Sequence, residues 1–226
     1  VMAEMIDVES FASFRRMVVT IVVATLIVEA LGALALYGLF AGYHDIAAPH
    51  DDPSSPLAGG ADLRWAAVFH SVSAFCNAGF SLFRDGLAPF VGSPIVCLVV
   101  MVLILVGGTG FPVLDELRRW SWSRVRGRRP PRLSLHARAA LTTSALLVGV
   151  GFLVFVVLEW STSLAEVGVG DKLLAALFQS VTTRTAGFNT VDFGAMRPAT
   201  TFVVCALMLV GGSPGSTAGG LKTTTL

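Results

Sequence analysis

The sequence has few charged residues, which make up 14% of its 226 positions, against roughly 25% in soluble domains. Hydrophobic residues make up 54% of the chain and the mean hydropathy is +0.74. Such a chain has too few polar side chains to cover a water-soluble surface. The composition therefore argues against a soluble domain and indicates a membrane protein.

Cysteine, clustered metal ligands and paired nucleophiles are also scarce. Two of the three cysteines, Cys97 and Cys205, lie in apolar runs, so no disulfide framework is expected. Ser71 and Cys76 have no base nearby in the sequence with which to form a nucleophile pair. His70 has no Cys, Asp or second His at ligand spacing, which favours a packing or hydrogen-bonding role over metal binding.

Two familiar signals are absent. The chain opens at Val1 with acidic residues rather than a basic stretch before an apolar core, so no signal peptide is expected. Residues 215–222 superficially resemble a phosphate-binding loop. However, Leu221 breaks the required Gly-Lys spacing and the preceding run is typical of a membrane helix rather than a strand.

Positive charge is concentrated in one connection and at the start of the chain. Arg15 and Arg16 precede the first apolar run, and eight arginines share the other connection: Arg118, Arg119, Arg124, Arg126, Arg128, Arg129, Arg132 and Arg138. Aspartates share the connection between residues 42 and 62: Asp45, Asp51, Asp52 and Asp62. The positive-inside rule places the basic segments in the cytoplasm and the acidic loop outside. A basic run also suits nucleic acid or anionic lipid, but between two spans a topogenic signal is the simpler interpretation, so no nucleic-acid partner is expected.

Apolar segments of two lengths alternate along the chain. A helix needs ~20 residues to cross a bilayer, and four segments reach or approach that length: 17–40, 91–114, 137–158 and 199–210 with its continuation. Two shorter runs, 64–75 and 172–183, would form helices of ~18 Å, which is about half a membrane. We therefore expect these two runs to be re-entrant helices.

The two short runs end in related sequences. Residues 69–80 and 178–188 both close on Ala-Gly-Phe, and each is followed by Leu-Val-Gly-Gly, at 105–108 and at 209–212. One Ala-Gly-Phe is a weak pattern, because a glycine in an apolar run more often serves helix packing. Its repetition after two half-length helices indicates a duplicated unit with an ion filter.

The chemistry of a filter follows from its backbone. Non-helical backbone at membrane depth must be buried in protein or face water, and rings of carbonyl oxygens replace the hydration shell of K⁺. Gly79 and Gly187 supply backbone freedom, while the C-terminal end of each short helix favours a cation. K⁺ bound by filter carbonyls is the only metal predicted. The predicted filter residues are Cys76, Asn77, Ala78, Gly79, Phe80, Thr185, Ala186, Gly187 and Phe188.

These features predict an all-α polytopic membrane protein, with tandem repeats of helix, re-entrant pore helix and helix as in potassium channels. The predicted organisation begins with a cytoplasmic N-terminal segment and a first pore repeat, continues with a basic cytoplasmic connection and ends with a second pore repeat and a Gly-rich intramembrane loop. The corresponding ranges are 1–16, 17–114, 115–138 and 139–226.

These motifs resemble the Trk/Ktr/HKT superfamily of potassium transporters, and in particular its TrkH/KtrB-like pore subunits. Residues 69–80 resemble the second pore loop of that family, residues 178–190 the third, and residues 211–225 its gating intramembrane loop. Cys76 stands where the family commonly has Asn. The first and fourth repeats are absent from this sequence, and the first carries the filter residue on which strictness for K⁺ over Na⁺ depends.

The resemblance also implies partners and a location. Members form homodimers on a ring of cytosolic nucleotide-binding regulatory subunits of the RCK/KTN type, and the arginine-rich connection faces that side. The resemblance implies K⁺ as the transported ion, no cofactor in this chain, and a multi-pass protein of the plasma membrane with a cytoplasmic N-terminus.

Arg184 is a charge at the end of the second pore helix, and charge within a membrane is costly and usually functional. One hypothesis is an ion pair behind the filter, with Glu29 or Glu159 as the partner. The other is that Arg184 extends to an aqueous vestibule.

The Gly-rich loop is the predicted gate. Glycine costs ~1 and proline ~3 kcal/mol relative to alanine in a helix, so this segment does not sustain one and is able to move. Lys222 either holds the loop closed or marks the membrane edge. The predicted gating residues are Gly211, Gly212, Ser213, Pro214, Gly215, Ser216, Thr217, Ala218, Gly219, Gly220 and Lys222.

A different class of protein fits the same helices: a polytopic membrane enzyme, or a non-conducting scaffold. An enzyme needs polar catalytic groups that converge at one membrane depth. Outside the filter-like loops the spans offer almost only Glu29. A transport protein and not an enzyme is therefore the prediction.

Overall fold

The structure is a computed structural model that describes residues 2–42, 62–165 and 167–222. Within these ranges the regular elements are helices, which confirms the predicted all-α fold. Two short 3₁₀ turns, Ala88–Phe90 and Phe193–Ala195, lie in the connections. The α-helices are α1 (Met2–Phe40), α2 (Leu63–Phe75), α3 (Pro94–Thr109), α4 (Phe111–Val125), α5 (Leu135–Glu159), α6 (Val169–Thr182) and α7 (Pro198–Leu209).

Two helices are long and apolar enough to cross a membrane on their own. They are α5 and the part of α1 from Phe14 to Phe40, in agreement with the predicted spans. Helix α1 already begins at Met2, so the predicted cytoplasmic segment 1–16 continues the first span as one helix. Of the acidic outer loop, Asp45, Asp51 and Asp52 lie outside the described residues.

The second predicted span, 91–114, is wrong at its C-terminal end. Helix α3 stops at Thr109 and α4 starts at Phe111, with a bend of 109° between them. Gly110 makes this bend with a φ of +85°, a conformation that residues with a Cβ rarely adopt. The apolar run continues to Leu114, so hydropathy alone does not reveal the break.

The fourth predicted span is also shorter than expected. Helix α7 has 12 residues and ends at Leu209, which gives a length of ~18 Å. Glycines 211 and 212 follow at once and stop the helix. On its own, α7 therefore does not cross a bilayer.

The two pore helices each pack against the long helix that precedes them, and they do so through matched contacts. Ser71 of α2 donates to the backbone oxygen of Glu29 at 2.7 Å, and Ser180 of α6 donates to that of Val148 at 2.5 Å. A Cβ atom placed on Gly32 or Gly151 would meet these same serine hydroxyls. Each long helix thus has a glycine where the pore helix approaches, which supports the duplication seen in the sequence.

The two repeats share one apolar core. Helices α3 and α6 contact each other across the boundary between the repeats. Phe178, Val181, Ala186 and Phe188 of the second repeat pack in the same buried cluster as Phe83 and the other core residues of the first. The two filter loops are therefore held in a fixed relation by side-chain packing.

The basic connection is organised around α4. Asp115 forms ion pairs with Arg118 at 2.8 Å and Arg119 at 2.5 Å. The carboxylate of Glu116 accepts hydrogen bonds from the backbone N–H and the hydroxyl of Ser134, at 2.9 and 2.7 Å, which ties α4 to the start of α5. Several arginines beyond these, including Arg128, are exposed.

Candidate functional site

The two predicted filter loops lie side by side. A Cβ atom placed on Gly79 would collide with the carbonyl oxygen of Ala186 and lie 2.7 Å from the Cα of Gly187. A Cβ atom placed on Gly187 would lie 3.4 Å from the Cα of Gly79. Only residues without side chains allow the two backbones to come this close.

The backbones of the two loops follow the same pattern. Asn77 and Gly79 have positive φ values of 52° and 73°, and Thr185 and Gly187 have values of 65° and 85°. The alanine between them is not in this region in either loop. A positive φ is uncommon for residues other than glycine, and for a β-branched residue such as Thr185 it is an outlier that points to function.

This pattern aligns the repeats residue by residue. Asn77 corresponds to Thr185, and one position earlier Cys76 corresponds to Arg184. Cys76 caps the C-terminus of α2, whereas Thr183 caps α6, so the second loop has one residue more between helix and filter. The loops therefore share a backbone geometry and differ in their side chains.

The carbonyl groups of the loops are unpaired. Within the described part of the chain, no N–H or O–H group donates a hydrogen bond to the carbonyl oxygens of Asn77, Ala78 and Gly79, or of Thr185, Ala186 and Gly187. These six oxygens are therefore available to coordinate a cation or water.

The last residues of the two loops differ in their surroundings. Phe80 is 70% exposed, whereas Phe188 is 1% exposed. Phe188 stacks on the ring of His70 with a centroid distance of 6.3 Å, so it packs in the first repeat. Cys76 is also exposed, and its thiol lies 3.9 Å from a carboxylate oxygen of Glu29.

Arg184 is buried, with 5% of its surface exposed. Its guanidinium donates to the hydroxyl of Ser144 at 3.0 Å and to the carbonyl oxygen of Val210 at 3.4 Å. No carboxylate of the described residues forms an ion pair with it, so the predicted pair with Glu29 or Glu159 is wrong. Its burial also argues against a side chain that extends into open water.

The position of Glu159 explains why it is not the partner. It ends α5, 15 residues beyond Ser144, which places it ~22 Å along the helix from the residue that Arg184 contacts. Its carboxylate accepts hydrogen bonds from the N–H of Arg197 at 3.0 Å, from the hydroxyl of Ser163 at 2.9 Å and from Thr200. It thereby joins the end of α5 to the start of α7. Ser144 was not predicted, since nothing in the sequence sets it apart from other serines in apolar helices.

The Gly-rich loop after α7 is not helical, as predicted, and it folds back on itself. Val210 pairs with Leu221 in a parallel bridge, and the N–H of Gly211 donates to the carbonyl of Leu221 at 2.9 Å. The amine of Lys222 donates to the carbonyl of Ala218 at 2.6 Å. Residues 223–226, the end of the predicted gating segment, lie outside the described residues.

The Gly-rich loop contacts both filter loops directly. The amide of Asn77 donates to the hydroxyl of Thr217 at 2.9 Å, and that hydroxyl donates to the carbonyl of Phe75 at 2.8 Å. The N–H of Gly219 donates to the hydroxyl of Thr185 at 3.0 Å. Asn77 and Thr185, the non-glycine residues of positive φ in the filter loops, thus both bind the Gly-rich loop.

The same loop rests on the end of α3. The N–H of Thr217 donates to the carbonyl of Gly107 at 3.2 Å, and the N–H of Ser213 donates to that of Gly108 at 3.1 Å. A Cβ atom on Gly107 would collide with the carbonyl oxygen of Phe75. The sequence indicated this Gly-Gly pair only as a mark of duplication, and the contact with the loop was missed.

The profile of the TrkH family, described as cation transport protein, matches residues 3–226. This chain belongs to the TrkH family. The family is one of transport proteins and not of enzymes, which confirms the predicted class of protein and the predicted family resemblance.

Two curated relatives show how much of a TrkH-family protein this chain represents. It is 43% identical over 163 residues to the Ktr system potassium uptake protein B of Bacillus subtilis, covering 71% of this chain and 35% of the relative. It is 34% identical over 227 residues to the potassium/sodium uptake protein NtpJ of Enterococcus hirae, covering 100% of this chain and 46% of the relative. The chain therefore spans less than half the length of these relatives.

A solved structure has the same fold. The crystal structure of the potassium transporter TrkH from Vibrio parahaemolyticus matches with a TM-score of 0.56 and 25% identity. The match covers 71% of this chain and 33% of that one. The membrane architecture predicted from the two repeats is therefore that of a known transporter.

Proposed function

We propose that this chain forms two adjacent pore repeats of a potassium uptake transporter, in which K⁺ passes along an axis that the two filter loops line. The observation that carries the proposal is the set of six unpaired carbonyl oxygens in two loops of matching backbone. Carbonyl oxygens arranged around an axis replace the water that a potassium ion loses on entry. The relatives are named potassium uptake and potassium/sodium uptake proteins, which agrees with this ion class.

The direction of the pore helices favours a cation. Helices α2 and α6 both end immediately before their filter loops, so the partly negative C-terminal end of each points towards the ion path. An anion would be repelled there. Arg184 lies behind the second loop, where its charge is bound to oxygens of Ser144 and Val210 rather than turned to the path.

Two loops form only two sides of a filter. Phe188 closes its side by packing on the first repeat, whereas Phe80, at the same place in the other loop, is exposed. Trp65, Val68 and Phe69 line an apolar hollow beside Phe80. Further loops of the same kind complete the ring on this side, so conduction belongs to the complete transporter.

The Gly-rich loop acts as the gate of this pore. Two observations support this role: the loop is not helical, and it touches both filter loops. Lys222 holds the loop closed through its bond to Ala218. Opening requires the contacts of Thr217 and Gly219 with the filter loops to break.

The complete transporter lies in the plasma membrane as a homodimer with its N-terminus in the cytoplasm. Its regulatory partner is a cytosolic ring of nucleotide-binding subunits of the RCK/KTN type, which docks on the arginine-rich side. Family likeness and the exposed arginines after α4 support this arrangement.

Potassium uptake by the complete transporter that carries this sequence tests the function. We expect it to restore growth at low K⁺ in a cell that lacks its own potassium uptake systems, and to carry K⁺ into proteoliposomes. A transporter that reaches the membrane intact but supports neither growth nor flux would contradict the proposal and favour a non-conducting scaffold.

A further inference from the structure

A polar side chain in the middle of each pore helix holds the backbone that leaves the filter. His70 of α2 and Gln179 of α6 occupy equivalent positions, next to Ser71 and Ser180, the serines that fasten each pore helix to its long helix. Both side chains are fully buried. A buried polar group is costly unless it is hydrogen-bonded, so the partners of these two side chains indicate what they do.

His70 accepts a hydrogen bond from the backbone after the first filter loop. The N–H of Leu82 lies 3.4 Å from Nε2, and the hydroxyl of Ser81 lies 2.9 Å from the same atom. Because a backbone N–H only donates, Nε2 is the acceptor and the neutral ring carries its proton on Nδ1. Nδ1 lies 2.7 Å from the carbonyl oxygen of Ala66, which accepts a hydrogen bond from the Nδ1–H group.

The imidazole is fixed in place on both sides. Its ring stacks on Phe83 with a centroid distance of 4.6 Å, and Phe188 of the second repeat stacks on it at 6.3 Å. The hydroxyl of Ser81 also accepts from the N–H of Phe83 at 3.0 Å. These contacts give His70 the packing and hydrogen-bonding role that the sequence favoured over metal binding.

Gln179 does the same with a different side chain. With its amide oxygen turned towards the loop, it accepts hydrogen bonds from the N–H groups of Thr190 and Val191, both at 3.2 Å. Leu82 and Thr190 are each three residues beyond the filter glycine. An imidazole nitrogen and an amide oxygen therefore bind the same backbone N–H in the two repeats.

We propose that His70 and Gln179 are positioning residues that set the selectivity of the filter for K⁺ over Na⁺. This inference rests on the proposed function. Besides the bonds of Asn77 and Thr185 to the Gly-rich loop, each filter loop is held where its pore helix enters it and where His70 or Gln179 binds the following backbone to that helix. Between these points lie the residues of positive φ and the six carbonyls, whose oxygens accept no hydrogen bond from the described residues.

We expect loss of the hydrogen bond that His70 or Gln179 accepts to change ion selectivity more than folding. When the acceptor is removed, the backbone N–H of residue 82 or 190 is unpaired, and the loop relaxes to find another partner. A site that coordinates through carbonyls discriminates between ions only when those carbonyls keep their positions, because a loosened shell adapts to the smaller ion. The amount of transporter in the membrane is then less affected than the ratio of ions it passes.

The test compares substitutions that remove the acceptor with substitutions that exchange it between repeats. Gln179→Met keeps the length of the side chain, and His70→Phe keeps a ring against Phe83. Gln179→His and His70→Gln place in each repeat the acceptor of the other. Leu177→Met introduces the same residue as Gln179→Met on an exposed position of α6 and serves as the control. The K⁺/Na⁺ permeability ratio of the complete transporter is measured in proteoliposomes, together with its yield in the membrane.

We expect Gln179→Met and His70→Phe to lower the permeability ratio about tenfold, and the two exchanged variants and the control to keep it. An unchanged ratio in the two acceptor-free variants overturns the proposal. An equal fall in the exchanged variants also overturns it, because shape rather than the hydrogen bond would then matter.

If Gln179→Met fails to fold, Gln179→Asn replaces it. The asparagine side chain is one methylene too short to reach the two N–H groups, and a wild-type permeability ratio in this variant overturns the proposal. If the unsubstituted transporter passes no K⁺, the proposed function fails instead.

Discussion

Gly79 and Gly187 occupy the same place in the two filter loops, but their surroundings differ. Both have a positive φ, which strains any residue with a Cβ by ~1 kcal/mol or more. At Gly79 the added Cβ would in addition collide with the backbone of Ala186, which has no flexible end to move away. At Gly187 the nearest atom is at an ordinary contact distance of 3.4 Å.

Alanine substitutions at these glycines should therefore have effects of different size. We expect Gly79→Ala to lower K⁺ flux by more than about tenfold and Gly187→Ala by less, because only the first combines strain with a clash. Gly38→Ala is the control, since a Cβ atom there meets nothing within 4 Å. Flux per inserted transporter is the measurement, and a larger loss for Gly187→Ala would contradict the geometry.

At the scale of elements, the two repeats differ in the segments that follow α3 and α7. In the first repeat, Gly110 turns the chain into another helix, α4, at 109°. In the second, five glycines and Pro214 prevent a helix, and the chain returns to pair Leu221 with Val210. The same apolar helix followed by Gly-Gly thus leads to a rigid elbow in one repeat and to a loop under the filter in the other.

Removal of residues 213–218 tests whether this loop closes the pore. We expect the deletion to raise K⁺ flux several-fold in the complete transporter, because it removes both the bulk of the loop and Thr217, its contact with the first filter loop. Thr217→Val is the companion variant, which keeps the bulk and removes the hydroxyl. Equal or lower flux in a folded deletion variant would show that the loop is not a gate.

At the scale of the whole molecule, the charges of the arginine-rich connection divide into two groups. Arg118 and Arg119 bind Asp115, and Arg124 and Arg126 lie over tryptophan rings, so these four are engaged within α4 or next to it. Arg128 and Arg129 follow in the exposed turn after α4. They are the better candidates to meet a cytosolic partner.

Neutralisation of these two arginines should weaken docking of a nucleotide-binding ring. We expect Arg128→Gln with Arg129→Gln to raise the Kd about threefold to tenfold, with less dependence on salt, as for exposed charges at the rim of an interface. Arg15→Gln with Arg16→Gln removes the same charge at another exposed site, which is predicted to lie on the same side of the membrane, and is the control. An equal effect of both pairs would show that the arginines set topology and not docking.

The errors of the sequence-based predictions have a common cause. The partner of Arg184 was sought among carboxylates, yet its guanidinium is bound by a serine and a backbone carbonyl. The second span was drawn through Gly110 because the hydropathy of a sequence does not report the direction of the backbone. In both cases the outcome depends on the backbone: on a carbonyl group that accepts a hydrogen bond, or on a φ angle. Every residue has these features, so the sequence does not mark where they matter.

The sequence by itself determined the membrane character, the two repeats and the loops that are proposed to form the filter, because hydropathy, segment length and a duplicated Ala-Gly-Phe are local properties. Only the tertiary structure decided that Gly79 lies against Ala186 and that Thr217 and Gly219 bind the filter loops. It also decided that His70 and Gln179 bind equivalent backbone N–H groups in the two repeats. Those contacts join residues that are not neighbours in the chain, and they depend on the direction of particular backbone and side-chain groups. That direction is fixed only when the helices have packed.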